Sequence, residues 1–147
     1  MLHFLILYYE KSAKQSNRRG KPPVENVSNQ PLGVKELMET STEQIGNVLK
    51  IKVIGRLVAG CAEEFKQMLM SSANTNNQIL LDLSQMNYID SSGLGALVFA
   101  HQEITHQGGQ LKIASLQAKP RVVFDITKVY RIFDIYDDVE TAISSFK

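Results

Sequence analysis

From Met38 onward, apolar and polar positions fall into short blocks separated by turn residues. Glu39 to Ile45 and Val48 to Ile54 are predicted as two strands joined by a turn at Gly46-Asn47. Side chains alternate along a strand, so Leu49, Ile51 and Val53 share one face and Lys50 and Lys52 the other. Gly55 to Gly60 reads as a connection. Ala62 to Met70 has helical spacing through Phe65, Met68 and Leu69, and the Asn- and Ser-rich stretch Ser71 to Asn77 reads as a loop. Ile79-Leu80-Leu81-Asp82-Leu83 is a nearly continuous apolar run, the pattern of a strand covered on both faces.

The next helix is predicted to start at a cap on Asp90 or Ser91, to run to about Gln107 and to stop at Gly108-Gly109. Leu111 to Ser115 is a further strand, and Pro120 opens a short helix carrying Val122, Val123, Phe124 and Ile126. Ile132 to Tyr136 makes a last strand and Asp137 to Phe146 a closing helix, with Asp134, Asp137 and Asp138 assigned to its start. Strands alternating with helices after an initial hairpin predict an α/β fold with a largely parallel sheet. Residues 10–31 are polar, basic and broken by Pro22-Pro23 and Pro31, so residues 1–37 are assigned to an N-terminal extension and linker, and residues 38–147 to the domain.

Composition narrows the function classes. A chain of 147 residues with 44% hydrophobic content suits one domain with a real core. The net charge of +1 is unevenly placed: residues 1–37 carry six Lys/Arg and three Asp/Glu, residues 38–147 ten and twelve. A mildly acidic domain argues against a nucleic-acid footprint. The lone Cys61 rules out an internal disulfide and fits a reducing compartment. The apolar opening Met1 to Tyr9 is shorter than the roughly 20 residues that a membrane span needs. Its positive charges (Lys11, Lys14, Arg18, Arg19, Lys21) follow the apolar run, where a secretory signal has them in front. The expectation is a cytoplasmic protein whose basic linker is solvated.

The informative chemistry is Asn87-Tyr88-Ile89-Asp90-Ser91-Ser92-Gly93-Leu94-Gly95, which joins a strand to a helix start. Taken bare, such a segment only caps a helix. At about 100° per residue, Leu94, Leu97, Val98, His101, Ile104 and Thr105 form one stripe, predicted to face the sheet. Ser92, Gly95, Ala96, Phe99 and Glu103 fall on the opposite side. An exposed face of small residues with one phenylalanine suits docking of a partner, with Phe99 as anchor. The alternative is that Phe99 packs under a neighbouring helix, and the pattern leaves both open. His101 is read as a half-buried core residue. His3, His101 and His106 with the distant Cys61 give no metal-ligand spacing. Gly93-x-Gly95 lacks the third glycine of a dinucleotide fingerprint, so no cofactor is implied. Ser92 has no histidine partner marked in sequence, which points away from an enzyme.

These landmarks together resemble the STAS family, within it the stand-alone bacterial anti-sigma factor antagonists. The similarity runs from about Met38 to Phe146, through Gly55-Arg56-Leu57, Ala62-Glu63-Glu64-Phe65, Ile79 to Leu83, Asp90-Ser91-Ser92-Gly93-Leu94-Gly95, Gly108-Gly109 and Phe124-Asp125-Ile126. The resemblance implies a mixed sheet of four to five strands with helices mainly on one face. It also implies a cycle in which the unmodified protein binds an anti-sigma factor that is often itself a serine kinase. Phosphorylation of the second serine, Ser92 here, releases the partner, and a metal-dependent serine phosphatase resets the switch. Partner contacts are expected at Asp90, Ser91, Ser92, Gly95, Ala96 and Phe99. One residue departs from the pattern: many phosphorylatable antagonists have Asp after Gly-x-Leu, where this chain has Val58. That keeps open a second reading, a STAS structural or regulatory subunit (of a lipid-transport complex, for example) that binds without phosphorylation. Nucleotide binding at the same helix end is a third.

Overall fold

The computed structural model describes residues 38–146, so the expectations for residues 1–37 lie outside it. β1 (Met38–Ile45) and β2 (Val48–Leu57) form the hairpin read from sequence. Gly46 takes φ 60° at its turn, a left-handed conformation open to glycine without steric cost. There follow α1 (Ala59–Ala73), β3 (Gln78–Ile89), α2 (Ser91–His106), β4 (Gln110–Ala114) and α3 (Ala118–Thr127). A 3-10 turn (Val129–Arg131), β5 (Asp134–Tyr136) and α4 (Val139–Ser145) complete the described residues. The strands lie in the order β1-β2-β3-β4-β5, the first pair antiparallel and the others parallel. This is the mixed, largely parallel sheet that was expected.

One face of the sheet carries α1, α2 and α3. Ile51, Val53, Leu81 and Ile113 from the strands meet Phe65, Leu97 and Phe124 from these helices in the main core. The opposite face is covered in part by α4, whose Ala142 joins Val48, Leu80 and Ala114. Lys112 lies in this second layer, 6% exposed. Its ammonium donates to the Ser145 carbonyl at 3.1 Å and hydroxyl at 2.9 Å and stands 4.7 Å from the Phe146 ring centroid. A buried cation is tolerated when its donors are occupied, and here the carbonyl end of α4 occupies them.

Several boundaries differ from the sequence reading, among them that of β3, which runs on past the apolar stretch Ile79–Leu83 as far as Ile89. β2 continues through Gly55-Arg56-Leu57, expected as a connection, because β3 offers it a parallel partner as far as Ile89. Two register shifts, near Lys52/Ile54 and Gly55/Arg56, absorb the mismatch. α1 takes in residues at both ends that were assigned to loops. The last strand is cut to Asp134–Tyr136 because the chain before it tightens into the 3-10 turn. Asp134 therefore belongs to β5, and α4 is capped by Asp138, whose carboxylate accepts the Thr141 N–H at 2.7 Å.

Candidate functional site

The site grows out of the register between β2 and β3. Leu57 and Ile89 are partners, so the residues after them, Val58 and Asp90, start α1 and α2 side by side. Asp90 is extended (φ −107°, ψ −176°) and is the N-cap of α2, with Oδ1 accepting the Gly93 N–H at 2.8 Å. Its other oxygen, Oδ2, accepts the Ala59 N–H of α1 at 3.1 Å. One carboxylate therefore satisfies an otherwise unpaired donor at each of two helix starts. Val58, the N-cap position of α1, supplies no side-chain acceptor. The residue that departs from the antagonist pattern is the one whose capping work Asp90 takes over.

Gly93 completes the junction. A Cβ at this position would overlap the Leu57 carbonyl, which also accepts the Asp90 N–H at 3.2 Å. The absence of a side chain lets α2 start against the end of β2. The order Asp-Ser-Ser-Gly thus has a local physical reason at its two ends: a carboxylate that caps, and a glycine that permits close approach. The two serines between them are spared both tasks. Ser91 is exposed and Ser92 half-buried, at the first and second helical positions. Of the two capping residues left open by the sequence, Asp90 is the one that caps.

The face predicted to dock a partner is largely occupied. Gly95 and Ala96 are buried, and Ala96 packs on Ala62 of α1. Phe99 is half-buried against the main core, with the Lys66 ammonium 4.6 Å from its ring centroid. The expected solvent exposure of Gly95 and Ala96 is therefore corrected: small residues here bring two helices of the same chain together. The signal lay in Cys61-Ala62, small residues on α1 that match Ala96 on α2. Of the predicted contact residues Ser91 is open to solvent, while Asp90, Ser92 and Phe99 are partly so.

Sequence reasoning passed over Arg56 and Tyr88. They are register partners at the ends of β2 and β3, with the guanidinium carbon 5.0 Å from the ring centroid. Tyr88 is 44% exposed. Only the strand register reveals the pair, because Arg56 was assigned to a connection. Cys61 lies close by, its thiol 3.4 Å from the Arg56 carbonyl and 3.5 Å from that of Val58. Burial pushes the thiol above its ordinary pKa of 9.0, with Asp90 and Glu64 adding to the rise, so it stands as a thiol, not a thiolate nucleophile. His101 sits as read, half-buried and edge-on to Phe133 at 4.7 Å. Burial lowers its pKa from 6.5, partly offset by Asp134. Among the described residues no group of three or more His, Cys, Asp or Glu is placed to hold a metal, and no helix is long and apolar enough to cross a membrane.

Comparison with known proteins gives the same picture. A sequence model described as the STAS domain matches residues 39–142. The chain is 28% identical over 98 residues to the anti-sigma-B factor antagonist of Bacillus subtilis, which covers 67% of this chain and 90% of that protein. It is 24% identical over 113 residues to the anti-sigma F factor antagonist of Paenibacillus polymyxa, over 75% of this chain and 96% of the relative. In structure it is similar to an anti-sigma factor antagonist from Mycobacterium paratuberculosis, with TM-score 0.65 at 18% identity. That likeness covers 75% of this chain and 94% of the other and speaks to the fold alone.

Proposed function

The chain belongs to the STAS domain family, and on that premise we propose that it acts as an anti-sigma factor antagonist in a partner-switching cascade. In the unphosphorylated state it binds an anti-sigma factor that doubles as a serine kinase. Phosphorylation of Ser92 releases that partner, and a metal-dependent serine phosphatase restores binding. The chain itself performs no chemistry in this cycle; Ser92 is a substrate position.

The observation that carries the reading is the division of labour at the start of α2. Asp90 holds the cap, so the fold does not need the Ser92 hydroxyl. A phosphate on Ser92 brings about −1.5 to −2 charges at pH 7. It would sit at the positive end of a helix dipole, which favours an anion by about 0.3–1 kcal/mol. The domain can thus accept the modification without unfolding. A partner surface pressed against the same spot cannot, because like charge or desolvation there costs several kcal/mol. About 1.4 kcal/mol is already tenfold in affinity.

The contact surface in this reading is Asp90, Ser91 and Ser92, extended by the Arg56–Tyr88 pair and the open edge of Phe99. Gly95 and Ala96 serve it from within, by setting how closely α1 approaches α2. Val58 favours one other reading, a STAS subunit that uses the same surface constitutively. The two part on a single experiment: incubation with the cognate kinase and ATP, followed by mass analysis and binding measurements. Ser92→Ala should take up no phosphate yet bind the partner, and Ser92→Asp should fold normally and bind at least tenfold more weakly. Phosphate on Ser91, or tight binding by Ser92→Asp, would defeat the switch and leave the constitutive subunit.

A further inference from the structure

The outer side of α3 and the 3-10 turn after it carries three large apolar side chains in the open. Val122 is 53%, Ile126 70% and Tyr130 41% exposed. Among the described residues these are three of four such side chains, the fourth being Tyr88 beneath Arg56. Val122 and Ile126 lie four apart on one side of α3, and Tyr130 follows on the 3-10 turn beyond Lys128, whose left-handed backbone (φ 64°) ends the helix. On the inner side, Pro120, Phe124 and Val129 are buried, so the open stripe rides on a firmly held element.

Charge sets this surface apart from the rest of the domain. Residues 118–131 hold Lys119, Arg121, Lys128 and Arg131 against Asp125 alone, a net +3. The remaining described residues hold five cations and eleven carboxylates, a net −6. None of the four cations forms an ion pair among the described residues. Arg131 instead lies over the Tyr130 ring at 6.0 Å, and Arg121 donates to the Leu116 carbonyl at 3.3 Å.

We propose that this surface docks an acidic amphipathic helix of a partner protein. The helix would lay its apolar side on Val122, Ile126 and Tyr130, with carboxylates against Lys119, Lys128 and Arg131. Two helices pack by matching ridges spaced four residues apart, and Val122–Ile126 offers one such step, with Tyr130 extending the apolar surface past the end of α3. Ile, Tyr and Arg on a rigid support make the compact kind of contact that dominates protein recognition. Three side chains over so short a helix give little apolar area for a lipid interface, where binding scales with that area. The proposal stands apart from the Ser92 switch and does not depend on it.

The test uses the full chain, isotopically labelled, titrated with a synthetic peptide bearing Leu at heptad a and d positions and Glu elsewhere. The expected result is shifts centred on the amides of Val122, Ile126 and Tyr130, and affinity that falls with salt as screening shortens the reach of the charges. Ile126→Asp and Lys119→Glu should each weaken binding at least threefold, the pair at least tenfold. Both side chains are exposed, so an unchanged melting temperature shows that the variants fold. Ser92→Asp should bind the peptide unchanged; loss there would mean that the surface belongs to the switch and would overturn its independence. Equal binding of a Leu/Lys peptide overturns the proposal. So does uptake by phosphatidylserine vesicles in place of the peptide, self-association abolished by Ile126→Asp, or no binding at all.

Discussion

Replacing Asp90 with alanine should unfasten two helices at once. The carboxylate takes one N–H from Gly93 at 2.8 Å and one from Ala59 at 3.1 Å, and Val58 has nothing to offer in its place. A single helix cap is worth about 1 kcal/mol, and bonds to a charged acceptor stand at the upper end of the range. Two caps together predict a loss of about 2–3 kcal/mol, which for a domain of this size lowers the melting temperature by about 10–20 °C. Asp90→Asn keeps one acceptor oxygen but turns an NH2 group toward the other donor, so it should lose about half as much. Ser91→Ala, which removes no cap, should stay within about 0.5 kcal/mol of the parent. Urea denaturation gives the energies, and hydrogen exchange locates them: the Ala59 and Gly93 amides should lose protection together in Asp90→Ala. An Asp90→Ala variant as stable as the parent, or one in which α2 opens and α1 does not, would refute the shared cap.

Gly93→Ala forces a Cβ into the Leu57 carbonyl, so it should cost about 1–3 kcal/mol or more by thermal melting, although alanine is ordinarily the better helix former. Phe99→Ala should lower stability by about 1–3 kcal/mol, less than a fully buried phenylalanine costs, because the ring is half-buried against the core; unchanged stability in urea would return Phe99 to the role of a pure docking anchor. Stability should also depend on His101, whose pKa burial lowers from 6.5. As the pH falls below about 6.5 the unfolded chain takes up this proton before the folded one does, so the contribution is full above that pH, shrinks through it, and levels off below the folded pKa. Urea midpoints measured between about pH 5 and 8 should show this slope in the parent and lose it in His101→Gln.

Local chemistry was legible in the sequence where one residue decides the outcome. Gly46 at the hairpin turn, Gly108 after α2 (φ 90°), Asp90 before α2 and the apolar run of β3 all did what their types predict. What stayed hidden was decided by residues far apart in the chain. Nothing around Gly55-Arg56-Leu57 announces a strand, because the partner that makes it one is the far half of β3. The face of α2 with Gly95, Ala96 and Phe99 resembled a docking face because small residues permit close approach by any backbone. That the backbone was α1 followed from pairing Ala96 with Ala62, a contact that helix periodicity cannot supply. The second cap made by Asp90 was hidden in the same way, since its donor belongs to Ala59, 31 residues upstream.

The strand order has a consequence for how the chain folds. Each strand pairs with its neighbour in sequence: Val48 meets Gln78, Gln78 meets Gln110, and Lys112 meets Asp134. Every parallel pairing therefore closes a loop of about twenty to thirty residues, and closure entropy rises by only about 0.6 kcal/mol for each doubling of loop length. No step waits on a distant partner, so the sheet can grow outward one strand at a time from the β1–β2 hairpin as the chain leaves the ribosome. Parallel sheets are slow folders when their partners lie far apart. Here the partners lie no more than about thirty residues apart, and the last strand to join, β5, has just three residues to zip into place.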